Sequence, residues 1–204
     1  MTTRKEHWEK VYETKQPHEV SWTQELPKTS LEFLHSFNLP KTASIIDIGG
    51  GDSKLVDYLL DEGYEDVSVL DISAKAIERA KQRLGNKAQM VNWIVSDVTE
   101  FIPAKTYDCW HDRAAFHFLT TATDIDTYLN TARQSVKNFM VIGTFSDKGP
   151  KKCSMLDVHQ YTEEQLQEQL HNGFEKIKCV TEDHTTPFNT TQNFLFCSFK
   201  RHDS

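Results

Sequence analysis

The residues best suited to chemistry in this sequence are three consecutive glycines and the aspartates around them. Gly49, Gly50 and Gly51 follow the apolar run 43–48, whose next-to-last residue is Asp47. Glycines where a strand turns into a helix adopt positive φ and let a ligand approach the backbone without a Cβ in the way. A tight connection without a ligand is the alternative interpretation, because a glycine turn alone is a weak signal.

Two further aspartates, each at the end of an apolar run, favour a ligand. Asp71 closes the run 67–70 about twenty residues after the turn, where an acid accepts hydrogen bonds from ribose hydroxyls. Asp97 follows the run 91–95 and is placed to meet the exocyclic amine of an adenine, with Val98 against the ring. Each aspartate also has an interpretation without a ligand: Asp71 lies beside a helix cap, or Asp97 lies in a solvated turn. Together, the turn and the two acids predict an adenosine-containing ligand.

The charge beside the turn distinguishes two classes of adenosine ligand. A dinucleotide site follows the pattern GxGxxG, and its last glycine would fall at Lys54 here, with Asp52 at an intervening position. The carboxylate of Asp47 repels a pyrophosphate but suits a ligand that carries a sulfonium and an ammonium group. The sequence therefore favours S-adenosylmethionine (SAM) over the nicotinamide cofactor of an oxidoreductase.

A polar cluster follows the apolar run 107–110. It contains His111, Asp112, Arg113 and His117, and ligands of open α/β sheets bind beyond the carboxyl ends of the strands. We expect Asp112 or His117 to be the catalytic polar group nearest the acceptor of a methyl group. We expect Arg113 either to pair with a carboxylate or to bind an anionic substrate. An internal ion pair for Arg113 and a buried core position for His117 are the alternatives.

These residues are positioned by strands and helices that alternate along the chain. Apolar runs and helical stripes alternate from 43 to 145, as in a parallel sheet covered on both faces. The runs 174–181 and 194–199 have no helix between them and are predicted to pair antiparallel. The predicted fold class is α/β, with a Rossmann-like, doubly wound, seven-stranded sheet that is mostly parallel and has a reversed last strand.

No linker divides the chain, so we predict a single domain over 1–204, with 1–40 as an N-terminal helical extension or lid. Two helices are predicted in this extension, at 5–13 and 30–37. Tyr12 and Trp22 also lie there. We expect both aromatic rings to contact the cofactor, where they exclude water and shield a sulfonium.

Composition excludes several classes of partner. The chain has 204 residues and a net charge of −7, and its basic residues are scattered, which disfavours binding to nucleic acid. The first ten residues carry charges where a signal peptide needs an apolar stretch, and no segment is long enough to span a bilayer. We therefore expect a cytoplasmic protein. The oligomeric state is left open.

The cysteines do not form a recognisable metal or redox motif. The chain has four, without a CxxC pair, and a reducing compartment keeps thiols free. We therefore expect no metal site and interpret the four as small core or loop residues: Cys109, Cys153, Cys179 and Cys197.

The chain resembles the class I SAM-dependent methyltransferases over nearly its whole length. The segment 47–53 matches their glycine motif, with Ser53 in place of the usual last glycine, and the terminal hairpin matches their reversed strand. The resemblance implies SAM as cofactor. It also implies cofactor contacts for Asp71 with Ile72, for Asp97 with Val98, and for His111.

More narrowly, the chain is similar to a group of small bacterial methyltransferases that are distantly similar to the lysine methyltransferases of citrate synthase and elongation factor. This implies methyl transfer to a small molecule or a protein lysine; a SAM-binding sensor or partner protein without catalysis is the alternative. The segment 156–161 departs from the bacterial pattern. The motifs that carry the narrower resemblance are Trp8-x-x-x-Tyr12, Val20-Ser21-Trp22 and the segments 110–119, 149–154 and 184–187.

Overall fold

The computed structural model describes residues 3–202. Within that range no helix is both long and apolar enough to cross a membrane. The helices are α1 (Arg4–Thr14), α2 (Lys28–Ser36), α3 (Leu55–Asp61), α4 (Ala74–Leu84), α5 (Ala122–Ser135) and α6 (Glu163–Leu170). The strands are β1 (Ser44–Ile48), β2 (Asp66–Asp71), β3 (Val91–Val95), β4 (Tyr107–Arg113), β5 (Val136–Phe145), β6 (Lys152–Cys153), β7 (Leu156–Asp157), β8 (Phe174–Thr185) and β9 (Thr191–Arg201).

The main sheet has seven strands in the order β3-β2-β1-β4-β5-β9-β8. Strands β1 to β5 pair in parallel, and β9 pairs antiparallel with both β5 and β8. The predicted α/β sheet with a reversed last strand is therefore confirmed. The short strands β6 and β7 form a separate hairpin.

Both faces of the sheet are covered, because alternate residues of a strand point to opposite faces. In β1, Ile46 packs in the core that contains Tyr128 of α5 and residues of α6, whereas Ile45 packs with Leu31 of α2 and Leu55 of α3. All five residues of β1 are buried. The carboxyl ends of β1, β2 and β4 thus emerge side by side from a rigid core.

Helix α5 is followed directly by β5, although the apolar spacing alone is also compatible with a helical stripe that continues to Val136. Helix α5 ends at Ser135, and Val136 begins β5 opposite Tyr107 of β4. Its apolar side chain is buried in either arrangement, so periodicity did not distinguish the end of the helix from the start of the strand.

The interpretation of all four cysteines as unpaired core or loop residues is wrong for two of them. Cys179 and Cys197 lie opposite each other in the β8–β9 register, with a Cα–Cα distance of 4.1 Å, and form a disulfide. They are 18 residues apart in sequence, so only the register of the hairpin brings them together. Cys109 and Cys153 are free and buried.

Helix α1 is fastened to the start of α4. The Glu9 carboxylate accepts hydrogen bonds from the backbone N–H of Ala74 (2.8 Å) and from the Ser73 hydroxyl (2.9 Å). A carboxylate at this point satisfies N–H groups of the first turn and complements the helix dipole. The Arg79 guanidinium donates to the carbonyl of Tyr12. The N-terminal helix therefore lies over the carboxyl end of β2, next to the predicted cofactor site.

Candidate cofactor and acceptor site

The glycine turn after β1 has a backbone that side chains rarely adopt. Gly49 has φ +65° and Gly51 has φ +33°. A Cβ on Gly49 would lie 2.6 Å from the Cβ of Ala115, and one on Gly51 would lie 2.5 Å from Oδ2 of Asp71. Both the conformation and the space therefore require glycine. The turn leaves a cradle next to a carboxylate that an added Cβ would fill.

Asp71 ends β2 beside this turn and is buried. Its Oδ1 accepts a hydrogen bond from the backbone N–H of Ser73 (2.8 Å). Burial raises the pKa of Asp71 to about 7; the hydrogen bond from Ser73 opposes the shift, and the charge of Asp47 adds to it. Two neighbouring carboxylates make the cradle favourable for a cation.

The raised pKa of Asp71 predicts how the stability of the ligand-free protein depends on pH. The unfolded chain releases this proton near its ordinary pKa of 3.8, whereas the folded protein holds it to about 7. The contribution of Asp71 to stability is complete below the pKa of the unfolded state and is lost as pH rises through the pKa of the folded state. We expect the contribution of Asp71 to the free energy of unfolding, measured by urea denaturation, to fall between about pH 4 and about pH 8. The lowered pKa of His117 acts in the opposite direction, so this contribution is read as a difference from a variant that cannot titrate at position 71.

The matched variant for this experiment is Asp71→Asn, which cannot titrate at this position. It keeps the titrations of Asp112, whose pKa burial raises to about 6, and of His117, whose pKa is lowered to about 3, so the difference between the wild type and the variant isolates Asp71. An equal decline in the wild type and the variant would contradict the assignment to Asp71.

Asp97 lies after β3, but a partner that the sequence did not predict already holds it. Arg4 of α1 donates to Oδ1 (3.2 Å) and Oδ2 (3.0 Å) of Asp97, and also to Asp124 (2.8 Å). Thr99 donates to Oδ1 through its backbone N–H (2.9 Å) and hydroxyl (2.8 Å). An adenine amine at this carboxylate would therefore share it with Arg4. Sequence reasoning missed Arg4, since nothing local links residues this far apart.

Asp47 and His111 form a buried pair on neighbouring strands. Their atoms Oδ1 and Nδ1 are 2.7 Å apart, and Nε2 of His111 is 2.9 Å from the hydroxyl of Ser30 in α2. Both residues line a cavity beside the glycine turn. Both ring nitrogens of His111 already have partners in the protein, so its ring ties β1, β4 and α2 together.

Asp112 is one of the predicted catalytic residues, but its burial and hydrogen bonds are those of a residue that supports the fold. It is fully buried and lines neither of the two cavities described below. Its oxygens accept hydrogen bonds from the backbone N–H groups of Ala115 (3.0 Å) and Phe116 (3.1 Å) and from the Tyr128 hydroxyl (2.8 Å). Asp112 therefore holds the turn after β4 against α5.

His117 also lies in the core. Its ring is fully buried and stacks on Phe145 at 4.2 Å, and Nδ1 accepts the backbone N–H of Phe145 at 3.3 Å. Burial, together with the charge of Arg113, lowers the pKa of His117 to about 3. The imidazole is thus neutral and outside both cavities, which agrees with the core alternative.

Arg113 is the one predicted catalytic residue of the three that lines the cavities. Its Nη1 donates to the carbonyl of Trp22 (2.9 Å), and its guanidinium lies 4.8 Å from the ring centre of Phe194. Burial lowers the pKa of Arg113 to about 10, so it keeps its charge at neutral pH.

Three aromatic rings of the N-terminal extension, together with Phe118 after β4, line one part of the site. Trp8 lies 5.6 Å from Trp22 and 5.0 Å from Phe118 between ring centres, and Tyr12 lies 6.3 Å from Trp22. All four line the cavity that contains Asp71. Tyr12 and Trp22 thus lie where the sequence predicts a cofactor contact, and Trp8 of the same motif as Tyr12 lies there too.

Two adjoining cavities, of about 100 Å³ and about 540 Å³, extend across the carboxyl ends of the strands. The first begins at Ile72, Asp97 and Val98 and reaches Phe194; the second continues past Asp47 and Gly50. The residues that line both are Tyr12, Trp22, Gly49 and Arg113. A continuous groove with acids at the adenosine end and a cradle of glycines fits SAM.

Comparison with known proteins agrees with this fit. Residues 45–138 match a family model described as a methyltransferase domain. The eEF1A lysine and N-terminal methyltransferase of Mus musculus is 27% identical over 117 residues, which are 57% of this chain and 16% of the mouse protein. Malonyl-(acyl-carrier protein) O-methyltransferase of Anoxybacillus flavithermus is 27% identical over 132 residues, 64% of this chain and 49% of the relative. The chain thus matches half or less of each relative's length.

Three solved structures share the fold. A SAM-dependent methyltransferase from Anabaena variabilis has a TM-score of 0.75 at 15% identity and covers 98% of this chain and 96% of its own. Magnesium protoporphyrin IX methyltransferase from Synechocystis, with bound SAM, has a TM-score of 0.68 at 17% identity, and the match covers 96% of this chain and 89% of the Synechocystis chain. N-methyltransferase NodS from Bradyrhizobium japonicum, with S-adenosyl-L-homocysteine, has a TM-score of 0.67 at 15% identity, and the match covers 88% of this chain and 90% of the NodS chain.

The fold and the site define a Rossmann-like SAM-binding protein of the transferase type. The family match over residues 45–138, together with this fold and site, supports a SAM-dependent methyltransferase with SAM as its cofactor.

Proposed function

We propose that this protein is an active methyltransferase whose acceptor is a small molecule held beside Arg113. The observation that carries the proposal is the groove itself. Its first cavity runs from the acids at the ends of β2 and β3 to an aromatic region at Phe145 and Phe194, without a break. An adenosyl group at the acidic end leaves the aromatic end for an acceptor.

Each part of the groove has a separate task in this proposal. Asp71 binds ribose hydroxyls, and Asp97 with Val98 binds the adenine. The glycine turn lets the amino acid part of the cofactor approach the backbone. When bound, SAM supplies a methyl group on a sulfonium. The protein then holds the acceptor's nucleophile in line with the carbon–sulfur bond, and such positioning is worth roughly 7–11 kcal/mol in favourable cases.

The protein contributes position rather than a histidine base. His117 and Asp112 lie outside both cavities and have structural hydrogen bonds. The acceptor's nucleophile is therefore already deprotonated, or it loses its proton to solvent.

A small molecule suits the acceptor end better than a protein lysine. This end lies beneath Trp8 of α1 and Trp22, and Arg113 at its inner wall has a buried guanidinium. A lysine side chain would bring a cation towards Arg113 in a desolvated site, which is unfavourable.

The proposal is tested by incubating the protein with a cell lysate and SAM labelled on the methyl group, then separating the products by size. We expect label in the small-molecule fraction that depends on active protein. The heat-inactivated protein is the control for background transfer. Label in a protein band would contradict the choice of acceptor. Tight SAM binding without labelled product in either fraction would favour a sensor without catalysis.

A further inference from the structure

The guanidinium of Arg113 is buried with most of its donors free. Nη1 donates to the carbonyl of Trp22, but Nε and Nη2 are both buried and have no hydrogen-bond partner among residues 3–202. A buried charged group with unsatisfied donors destabilises the protein, because those donors have lost their hydrogen bonds to water. Such a group indicates a ligand that supplies the missing acceptors.

The acids nearest to Arg113 do not supply them. Asp47 is engaged with His111 at 2.7 Å. Oε1 of Glu182 accepts from Gln24 at 3.1 Å, whereas its Oε2 is buried without a hydrogen-bond partner among residues 3–202 and does not reach the guanidinium. The charges of Glu182 and Asp47 stabilise the protonated guanidinium, yet neither lies within ion-pair distance of it. Arg113 therefore has charge compensation nearby without an internal partner for its free edge.

The two nitrogen atoms of Arg113 without partners, Nε and Nη2, define the shape of the group that could bind there. Nε–H and Nη2–H lie on one edge of the planar guanidinium and point in parallel, which matches the two oxygens of a carboxylate. The neighbouring walls of the cavity are Trp22, Phe118 and Phe194. These walls suit an apolar or aromatic body attached to the carboxylate.

We infer that Arg113 binds the carboxylate of the methyl acceptor through Nε and Nη2, so that the acceptor is a small carboxylic acid with an apolar body. The inference rests on the proposed function, since it names the substrate class of the same groove. Arg113 acts here as a binding and specificity residue. It anchors the acceptor and does not exchange a proton with it.

A carboxylate at this edge has two possible sources, the acceptor and the methionine part of the cofactor. Arg113 lines both cavities, and its guanidinium lies 4.8 Å from the ring centre of Phe194 of β9, which belongs to the aromatic end that the proposed function gives to the acceptor. This position favours the acceptor. S-adenosylhomocysteine (SAH), which carries the amino acid part, and 5′-methylthioadenosine, which lacks it, distinguish the two sources.

The experiment is calorimetry with benzoate as the probe, on the full chain saturated with SAH. Benzamide is the neutral control of the same shape. We expect benzoate to bind the wild type at least about tenfold more tightly than benzamide, and at least about tenfold more tightly than it binds Arg113→Gln. Arg113→Lys keeps the charge without the fork and should also lose most of the affinity.

Several results would overturn the inference. Benzoate that fails to bind the wild type, or binds wild type and both variants equally, excludes a carboxylate site at Arg113. Loss of SAH affinity in both variants, with unchanged affinity for 5′-methylthioadenosine, assigns the edge to the cofactor instead. SAH titration of the wild type alone tests the proposed function, so its failure is seen before benzoate is added. Folding of each variant is checked by circular dichroism.

Discussion

Asp71→Asn is expected to lower the affinity for SAH by about 100-fold, the largest loss of binding that we predict for a single substitution. The carboxylate is placed to accept from two ribose hydroxyls, and hydrogen bonds to a charged group contribute about 1.5–3 kcal/mol each. The asparagine keeps the shape of the side chain, and its oxygen still accepts one hydrogen bond. A loss of about 3 kcal/mol corresponds to about two powers of ten. Calorimetric titration with SAH measures it.

The matched control is Asp66→Asn, the same chemical change at the other end of β2. Asp66 pairs with Lys105 at the surface and lines neither cavity. We expect its affinity for SAH to stay within about twofold of the wild type, since surface pairs contribute about 0–1 kcal/mol to stability and nothing to the groove. Unchanged SAH affinity in Asp71→Asn, with an intact circular dichroism spectrum, would exclude Asp71 as a cofactor residue.

Asp47→Ala is expected to cause the largest loss of stability, about 3–5 kcal/mol in the free energy of unfolding. Asp47 and His111 are both about 2% exposed and bond to each other at 2.7 Å. Removal of one member of a buried hydrogen-bonded pair leaves the other unsatisfied in a dry environment. Urea denaturation at neutral pH measures the change.

Two further variants separate the contributions to this network. Asp47→Asn keeps an oxygen that can accept from His111 and should recover most of the loss. Ser30→Ala removes only the outer hydrogen bond, at 2.9 Å from His111, and should cost about 1 kcal/mol. A stability of Asp47→Ala within about 1 kcal/mol of the wild type would contradict a supporting role for the pair.

The positions of the proposed cofactor residues are predictable because they depend on local sequence. The apolar runs identify the strands. The glycines identify the turn after β1, where φ of Gly49 is +65°. In a parallel sheet the residue after each strand reaches the same edge, so the sequence alone predicts that Asp71 and Asp97 lie at that edge. The structure brings them to one cavity.

The roles of the residues after β4 were not predictable in the same way. Asp112 and Arg113 are adjacent on a strand end, and neighbouring side chains point to opposite faces. The face towards α5 holds Asp112 against Tyr128 at 2.8 Å, whereas Arg113 enters the groove. The sequence indicated a polar cluster but did not say which face belongs to the core. Only the packed helix α5 decides this.

Local sequence patterns are enough to predict the succession of strands and helices along the chain, the turn that needs glycine and the acids at the strand ends. These features follow from periodicity and backbone sterics within a few residues. Tertiary structure alone decided that β9 lies between β5 and β8, that Cys179 meets Cys197, and that Arg4 reaches Asp97 across 93 positions. Tertiary structure also decides that Nε and Nη2 of Arg113 are buried without a hydrogen-bond partner among the described residues. The partner of a strand or a side chain depends on how distant segments pack together, and no pattern within a few residues encodes that packing.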